Sequence, residues 1–334
     1  MFKTAESVTP KHPDKLCDRI SDAILDECLR QDPLSRVAVE TMGGHGIVTV
    51  TGEVTTKAFF DARSIVERIA PGNGVQINIV KQSPDIASGV DTGGAGDQGI
   101  MTGYACRDND AMIPQEQYLA RDLCMYLYEL FPYDGKTQIT LDDDGKIETI
   151  VASFCKIKSE AIINAVRDWA KTHEASTKSF AGDGIKGCIL HANPAGDWYQ
   201  GGFEADTGLT GRKLVVDNYG PQVPLGGGAF SGKDASKVDR SGAYKARELA
   251  VRYLKHFKGE ECIVKLAYSI GVEAPVMAMV EVLHEGYWKR FDITADDADE
   301  LTPRGIIDSL GLKKPIFEKT AEWGHFGNNH PWDK

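Results

Sequence analysis

The chain has 334 residues, with 38 Lys and Arg against 49 Asp and Glu, and a net charge of −11 at pH 7. Its 42% hydrophobic and 26% charged residues exclude a disordered, collagenous or coiled-coil chain, and its length suits roughly two or three domains. The acidic balance argues against a general nucleic-acid binder, and no apolar run approaches the ~20 residues that cross a bilayer, so neither nucleic acid nor membrane is an expected partner.

The seven cysteines are scattered and include no CxxC pair, which reads as reduced thiols in a cytosolic protein. Met1-Phe2-Lys3 leads straight into polar sequence, with no signal peptide, so a cytoplasmic location is expected.

In chain order, the first predicted element is a helix over about 13–30. Pro13 opens it, and Leu16, Ile20, Ile24 and Cys28 recur at helical spacing. Strands follow at 37–42 and 46–54, the second alternating Val48, Val50 and Val54 with Thr49, Thr51 and Glu53. A helix covers about 115–130. A hairpin joins 137–141 to 147–154 across Asp144-Gly145. Ser159 is expected to cap a helix reaching about 172. The last third reads as a strand at 213–216, a glycine-rich loop at 226–232 and a helix over about 240–257. Strands at 262–270 and 276–283 come next, then helical segments from Thr294 to Leu310. Helix and strand pairs recur about every hundred residues, which points to a three-unit α+β architecture without visible sequence repeats. Glycine-rich junctions divide it at 1–94, 95–203 and 204–334.

Glycine is the compositional anomaly, with 35 residues, and its clusters mark where chemistry is to be sought. In GGGAFSGKDASKVDR at 226–240 the glycines allow close backbone approach and aim amides at anions. Lys233, Lys237 and Arg240 add charge, while Asp234 and Asp239 are able to hold a cation. Residues 227–233 satisfy the G-x-x-x-x-G-K pattern, but Asp234 stands where a P-loop needs a hydroxyl. The bland alternative is a flexible, solvated surface loop. In HPDK at 12–15, Pro13 sets His12 and Asp14 at the positive end of a helix, where they serve either an anion or merely the cap. GGAGDQG at 93–99 fails as a dinucleotide fingerprint on spacing and context. Lys136, beside Asp134, opens a strand; Arg212 and Lys213 adjoin Asp206; Glu40 and Glu53 lie on neighbouring strands. His12, Lys136, Arg212, Lys213, Lys233 and Lys237 together form a clamp suited to a polyphosphate, which usually travels with Mg²⁺ held by carboxylates.

These motifs, with GEVTT at 52–56, KQSPDI at 81–86, GLTGRK at 208–213 and GHFG at 324–327, closely resemble those of the S-adenosylmethionine synthetases over nearly the whole chain. The resemblance implies three similar α+β units about a pseudo-threefold axis. It also implies attack of the methionine sulfur on C5′ of ATP, followed by hydrolysis of the bound triphosphate to phosphate and pyrophosphate. Carried over by position, His12, Lys136, Arg212, Lys233 and Lys237 would be catalytic. ATP would be met by His12, Asp134, Lys136, Asp197, Trp198, Asp206, Arg212, Lys213, Ala229 and Lys233. Methionine would be met by Glu53, Gln82, Asp97, Asp206 and Lys237. Asp14 and Asp239 would hold Mg²⁺, two ions per site, and Glu40 would hold K⁺. The active site would lie between two subunits of a homo-oligomer, either a dimer or a tetramer.

Trp198, Asp197 and Ala235 stand where the family usually has Phe, Arg and Pro. The chain is shorter than typical members, with deletions around 57–76 and between Asp91 and Gly94. The second falls in the loop, here 82–93, that gates the family's active site, and that loop is expected to be mobile and to cover the site. The alternatives are a P-loop phosphotransferase, which would leave ADP, and a non-catalytic nucleotide-binding regulator.

Overall fold

A computed structural model describes residues 2–82, 93–173, 185 and 187–334. The expected gating loop over 82–93 lies almost wholly outside the described residues. The first stretch of chain forms β1 (Lys3–Val8), α1 (Pro13–Gln31), β2 (Arg36–Gly44), β3 (Ile47–Thr55), α2 (Ala62–Ile69) and β4 (Gly74–Val80). The next forms β5 (Gly99–Cys106), α3 (Gln115–Leu130), β6 (Gly135–Leu141), β7 (Ile147–Phe154), α4 (Ser159–His173) and β8 (Ile189–Ala192). The last forms β9 (Gly208–Leu209), α5 (Leu214–Asp217), α6 (Val238–Phe257), β10 (Glu261–Tyr268), β11 (Met277–His284) and β12 (Tyr287–Phe291). The short helices α7 (Ala295–Asp299), α8 (Pro303–Leu310) and α9 (Phe317–Thr320) follow.

The architecture is α+β, in three similar units. Each of the first two stretches reads β-α-β-β-α-β, and the last keeps the opening strand, helix and two strands. Among the described residues three four-stranded sheets result, in the orders β9-β2-β3-β4, β1-β6-β7-β8 and β5-β10-β11-β12. In every sheet the first strand comes from a different stretch than the other three. β1 pairs antiparallel with β6, β5 with β10, and β9 with β2, so each opening strand is handed on around a closed cycle.

The expected hairpin forms between β6 and β7, with Gly145 at φ 78° in its turn. Val37, Val39, Val48 and Val50 are buried on one face of β2 and β3, and α1 packs there. The alternation leaves Glu40, Thr51 and Glu53 on the exposed face. Pro13 does open α1, but the helix buries far more than one stripe. Besides Leu16, Ile20, Ile24 and Cys28, it buries Asp14, Asp18, Asp22 and Asp26.

Two expectations fail. The segment 213–216 is not a strand: its β-branched Val215 and Val216 lie in the single helical turn α5, closed by Asp217 N–H to Lys213 O at 2.9 Å. The turn carries Asp217 to buried Lys15 at 2.6 Å, and that tertiary contact overrides local propensity. Ser159 is not a cap but the first residue of α4. Its N–H and hydroxyl both donate to Asp197 Oδ1, at 3.0 and 2.7 Å, so the capping acceptor comes from another loop.

Candidate active site

The N-terminus of α1 supplies the first group. His12 is its N-cap, and Nδ1 accepts the Asp14 N–H at 3.2 Å. Burial, then the neighbouring Lys213 cation, pull the His12 pKa down to about 4, so the ring is neutral near pH 7. With Nδ1 an acceptor, the neutral ring carries its proton on Nε2. Asp14 is buried, where desolvation alone would raise its pKa. The Lys213 ammonium at 2.7 Å and the Leu209 N–H at 3.0 Å outweigh that and hold it below the usual carboxylate range. Arg212 Nε lies 3.3 Å from the same carboxylate. Lys136 and Asp206 are close enough to act on His12 electrostatically. HPDK, GLTGRK and the start of β6 therefore converge.

Spacing explains why one helix organises so much. Asp14, Asp18, Asp22 and Asp26 fall at every fourth position and share a side of α1. Asp18 Oδ1 accepts the Gly211 N–H at 2.8 Å and Asp22 Oδ1 the Gly232 N–H at 2.8 Å. Asp26 accepts the N–H groups of Phe317 and Glu318, both at 2.9 Å. With Asp14 on the Leu209 N–H, the four carboxylates fasten three loops, at 209–211, 232 and 317–318, to one rigid rod.

The glycine-rich loop forms the second group. Lys233 Nζ donates to Asp239 Oδ2 at 2.6 Å, and the Gly228 N–H reaches Asp239 Oδ1 at 3.1 Å. The two groups touch where a Cβ at Gly211 would lie 2.4 Å from the Ala229 methyl, so only glycine lets GLTGRK lie against the loop. Glu40 lies near Lys233; burial and then Glu53 raise its pKa, against that lysine's pull. Gly99, ending GAGDQG, lies beside Asp239 as well.

Residues 227–233 do not make a P-loop. Among the described residues no strand leads into them, and Asp234 is buried. Its carboxylate accepts the Val37 N–H at 2.7 Å and pairs with Lys237. Arg240 is not a free cation of the loop either. It is fully buried and bidentate to Asp22 at 2.6 and 2.8 Å.

The remaining expected residues are more dispersed. Lys136 pairs with Glu6 at 2.6 Å. Asp134 Oδ2 accepts the Gly202 N–H at 2.8 Å, and burial raises its pKa to about 6. Asp197 is occupied by Ser159 and by the Asn193 amide at 3.2 Å, so its carboxylate serves α4. Trp198 borders a shallow cavity of about 320 Å³ with Ser153 and Asn193. Asp206 and Asp97 each accept the following backbone N–H, at 2.7 and 2.8 Å. Gln82 Oε1 is buried and, among the described residues, without a hydrogen-bond partner. Glu6, Lys15 and His325 fall within or beside quoted motifs without an assigned role, and Asp18, Asp22 and Asp217 lie outside them. The aspartates' four-residue spacing was the available signal for two of them.

Comparison with known proteins covers the whole chain. The models for the N-terminal, central and C-terminal domains of S-adenosylmethionine synthetase match residues 1–81, 92–198 and 200–334. The S-adenosylmethionine synthase of Nitratiruptor sp. is 40% identical over 376 aligned residues, spanning 99% of this chain and 95% of its own length. That of Treponema denticola is 40% identical over 374, spanning 100% and 95%. That of Wolinella succinogenes is 39% identical over 369, spanning 99% and 95%. Each alignment is longer than the 334 residues here, so the relatives carry stretches this chain lacks. The chain belongs to the S-adenosylmethionine synthetase family, and its activity is that of a methionine adenosyltransferase, making S-adenosylmethionine from ATP and methionine.

Proposed function

We propose that sulfur attack on C5′ and cleavage of the released triphosphate share one cleft, bounded by the His12–Lys213 group and the Lys233 loop. The observation that carries this reading is their contact at Gly211 and Ala229, which brings lysines from two loops to one place. As the methionine sulfur bonds to C5′, the C5′–O5′ electron pair passes to the triphosphate. His12, neutral with its proton on Nε2, is placed to donate to that oxygen. Lys136, Arg212, Lys213 and Lys233 stabilise the charge that grows on the leaving group, and Asp134 and Ala229 line the nucleotide's path. Water then cleaves the triphosphate under the same cations. The departing groups are phosphate and pyrophosphate.

Lys213–Asp14 and Lys233–Asp239 are close pairs, and each has a second use. A lysine that turns to phosphate leaves its aspartate for a cation. Family members are metal-dependent. Two separate carboxylates suit Mg²⁺, which is commonly bound by one or two carboxylates together with substrate phosphates. Asp14 and Asp239 are thus the residues that would hold Mg²⁺ in this proposal, and ions there would neutralise phosphate charge. Glu40, crowded by Glu53 and partly desolvated, suits K⁺.

On the methionine side, Gln82 offers an unpaired acceptor, with Glu53, Asp97, Asp206 and Lys237 as its companions. Trp198 offers the base a flat face, whereas Asp197 acts through α4.

A homodimer with the site between subunits is part of the same reading, and a tetramer would pair two such dimers. Glu40 and Glu53 lie on a sheet face that is uncovered in the single chain, beside exposed Met42, Ile47 and Val80. The division at 94 and 203 is proposed because each stretch holds one strand-and-helix repeat. The cytoplasmic location rests on seven free cysteines.

With ATP and methionine, S-adenosylmethionine, phosphate and pyrophosphate are expected in equal amounts. Accumulating ADP or methionyl-adenylate would refute the mechanism. Glu40→Ala is expected to lose the response to K⁺, and an unchanged response removes Glu40 from the ion site. Light scattering of the purified protein reads the oligomer directly.

A further inference from the structure

His325 sits in the GHFG stretch, is not among the residues assigned above as substrate contacts, and is wholly buried. Its contacts nevertheless run to both cation groups. On one side, Nδ1 lies 2.7 Å from the Tyr244 hydroxyl, which accepts from Arg240 Nε at 2.9 Å. Arg240 in turn donates to the Lys233 carbonyl at 3.1 Å, and its partner Asp22 holds the Gly232 N–H. The ring also packs against Phe230 of the glycine-rich loop, with centroids 4.8 Å apart.

On the other side, the His325 N–H donates to Asp217 O at 2.9 Å, and Nε2 lies 3.9 Å from Asp217 Oδ1. Asp217 holds Lys15 Nζ at 2.6 Å, Lys15 reaches Asp18 at 3.1 Å, and Asp18 holds the Gly211 N–H. Gly211 immediately precedes Arg212 and Lys213. The Trp332 indole N–H, donating to the His325 carbonyl at 2.6 Å, fixes the residue from behind.

The Tyr244 oxygen already accepts from Arg240, so its own proton is available for His325 Nδ1. This leaves the ring proton on Nε2, which has no hydrogen-bond partner among the described residues and lies 3.9 Å from the Asp217 carboxylate, close enough to act on it electrostatically. A phenylalanine would fill the space and keep the backbone bond to Asp217, but it would offer Tyr244 no acceptor and present no N–H dipole to the Asp217 carboxylate.

We propose that His325 is a positioning residue that fixes the two phosphate-gripping loops, 208–213 and 226–232, relative to each other. The inference rests on the reading of Lys213 and Lys233 as phosphate contacts. A small relative shift of the loops would spoil a clamp that must close on one polyphosphate from two sides.

The test uses the full-length enzyme with His325→Phe, His325→Gln and Tyr244→Phe, with inorganic tripolyphosphate as the probe. Around metal centres, loss of a partner that orients a ligand commonly costs about 10–100-fold in activity, and the same scale is taken for a brace between phosphate-gripping loops. His325→Phe is expected to lower kcat for synthesis and for tripolyphosphate hydrolysis by about that factor, with KM for methionine unchanged. His325→Gln, whose amide both donates and accepts, should recover part of the loss. Tyr244→Phe cuts only the Lys233 arm and should give a smaller loss, and the double variant no more than His325→Phe alone.

A merely structural histidine would give a lower Tm with wild-type kcat in the folded fraction, and that result overturns the proposal. If His325→Phe does not fold, Tyr244→Phe decides, and full activity there also overturns it. Should the wild type make no S-adenosylmethionine, the mechanism of the preceding section falls. The coupling is then read from tripolyphosphate binding by calorimetry, where equal affinity in wild type and variants refutes it.

Discussion

The two nitrogens of His12 face different tasks, which makes the residue separable by mutation. Nδ1 closes the first turn of α1, a bond an asparagine oxygen is able to replace, while Nε2–H is the donor proposed for the leaving oxygen. His12→Asn is therefore expected to melt near the wild type. It should slow S-adenosylmethionine formation about 10²–10³-fold in single turnover, with a smaller effect on added tripolyphosphate. Lys233→Ala should impair both steps, because its charge acts wherever phosphate charge grows. Near-normal synthesis by folded His12→Asn would reduce the histidine to a cap. Glu116, in the first turn of α3, makes a separate prediction at this scale. It is buried, and among the described residues neither carboxylate oxygen has a hydrogen-bond partner. Burial raises its pKa in the folded state, so its contribution to stability is present at low pH and is lost as pH rises through that raised value. Glu116→Gln should gain on the wild type as pH rises from below the ordinary glutamate range through the raised value, in thermal melts, toward the about 1–3 kcal/mol typical of a buried unsatisfied group. A Tm difference independent of pH would place the ionised carboxylate in a partnered site.

Among the elements, α1 carries most of the site's geometry through its ladder of aspartates. Asp22 is the rung with most to lose, since Arg240 is bidentate to it with both side chains fully buried. Asp22→Ala should destabilise by about 3–5 kcal/mol, the usual cost of leaving one partner of a buried pair alone. Urea titration measures it, and a loss below about 1 kcal/mol would mean that water reaches Arg240. The helix itself was legible from Pro13 and the Leu16–Cys28 stripe, because apolar periodicity and proline act locally. The ladder was harder to see. Asp14 drew notice through HPDK, but Asp18 and Asp22 act on loops some two hundred residues away, and spacing alone does not name those partners. Val215 and Val216 misled for the same reason: α5 is held by Lys15, which nothing nearby in sequence announces. β9 has two residues and β1 is largely polar, so neither offers the alternation that marks a strand. The glycine-rich loop was legible as a ligand site because its residue types are costly without one. That Arg240 is a buried brace required the fold.

At the scale of the molecule, the cycle of donated strands means that none of the three sheets is complete within its own stretch. A fragment of residues 1–94 would lack β9 and carry β1 without β6. Expressed alone it is expected to show no cooperative melting, and mixing all three stretches should restore it. Cooperative unfolding of the lone fragment would show that the exchange adds little. The same cycle also sets a schedule for synthesis. Val8 finds Lys136, Gly43 finds Gly208 and Cys106 finds Glu261 only after long runs of intervening chain have left the ribosome. At about 5–20 residues per second, a nascent chain carries unpaired strand edges for on the order of 10 s. During that interval β2 is open to the edge of any neighbouring nascent copy on the same message. Crowded translation is therefore where this fold is most exposed to misassembly, and slowing initiation, rather than cooling the finished protein, is the lever that relieves it.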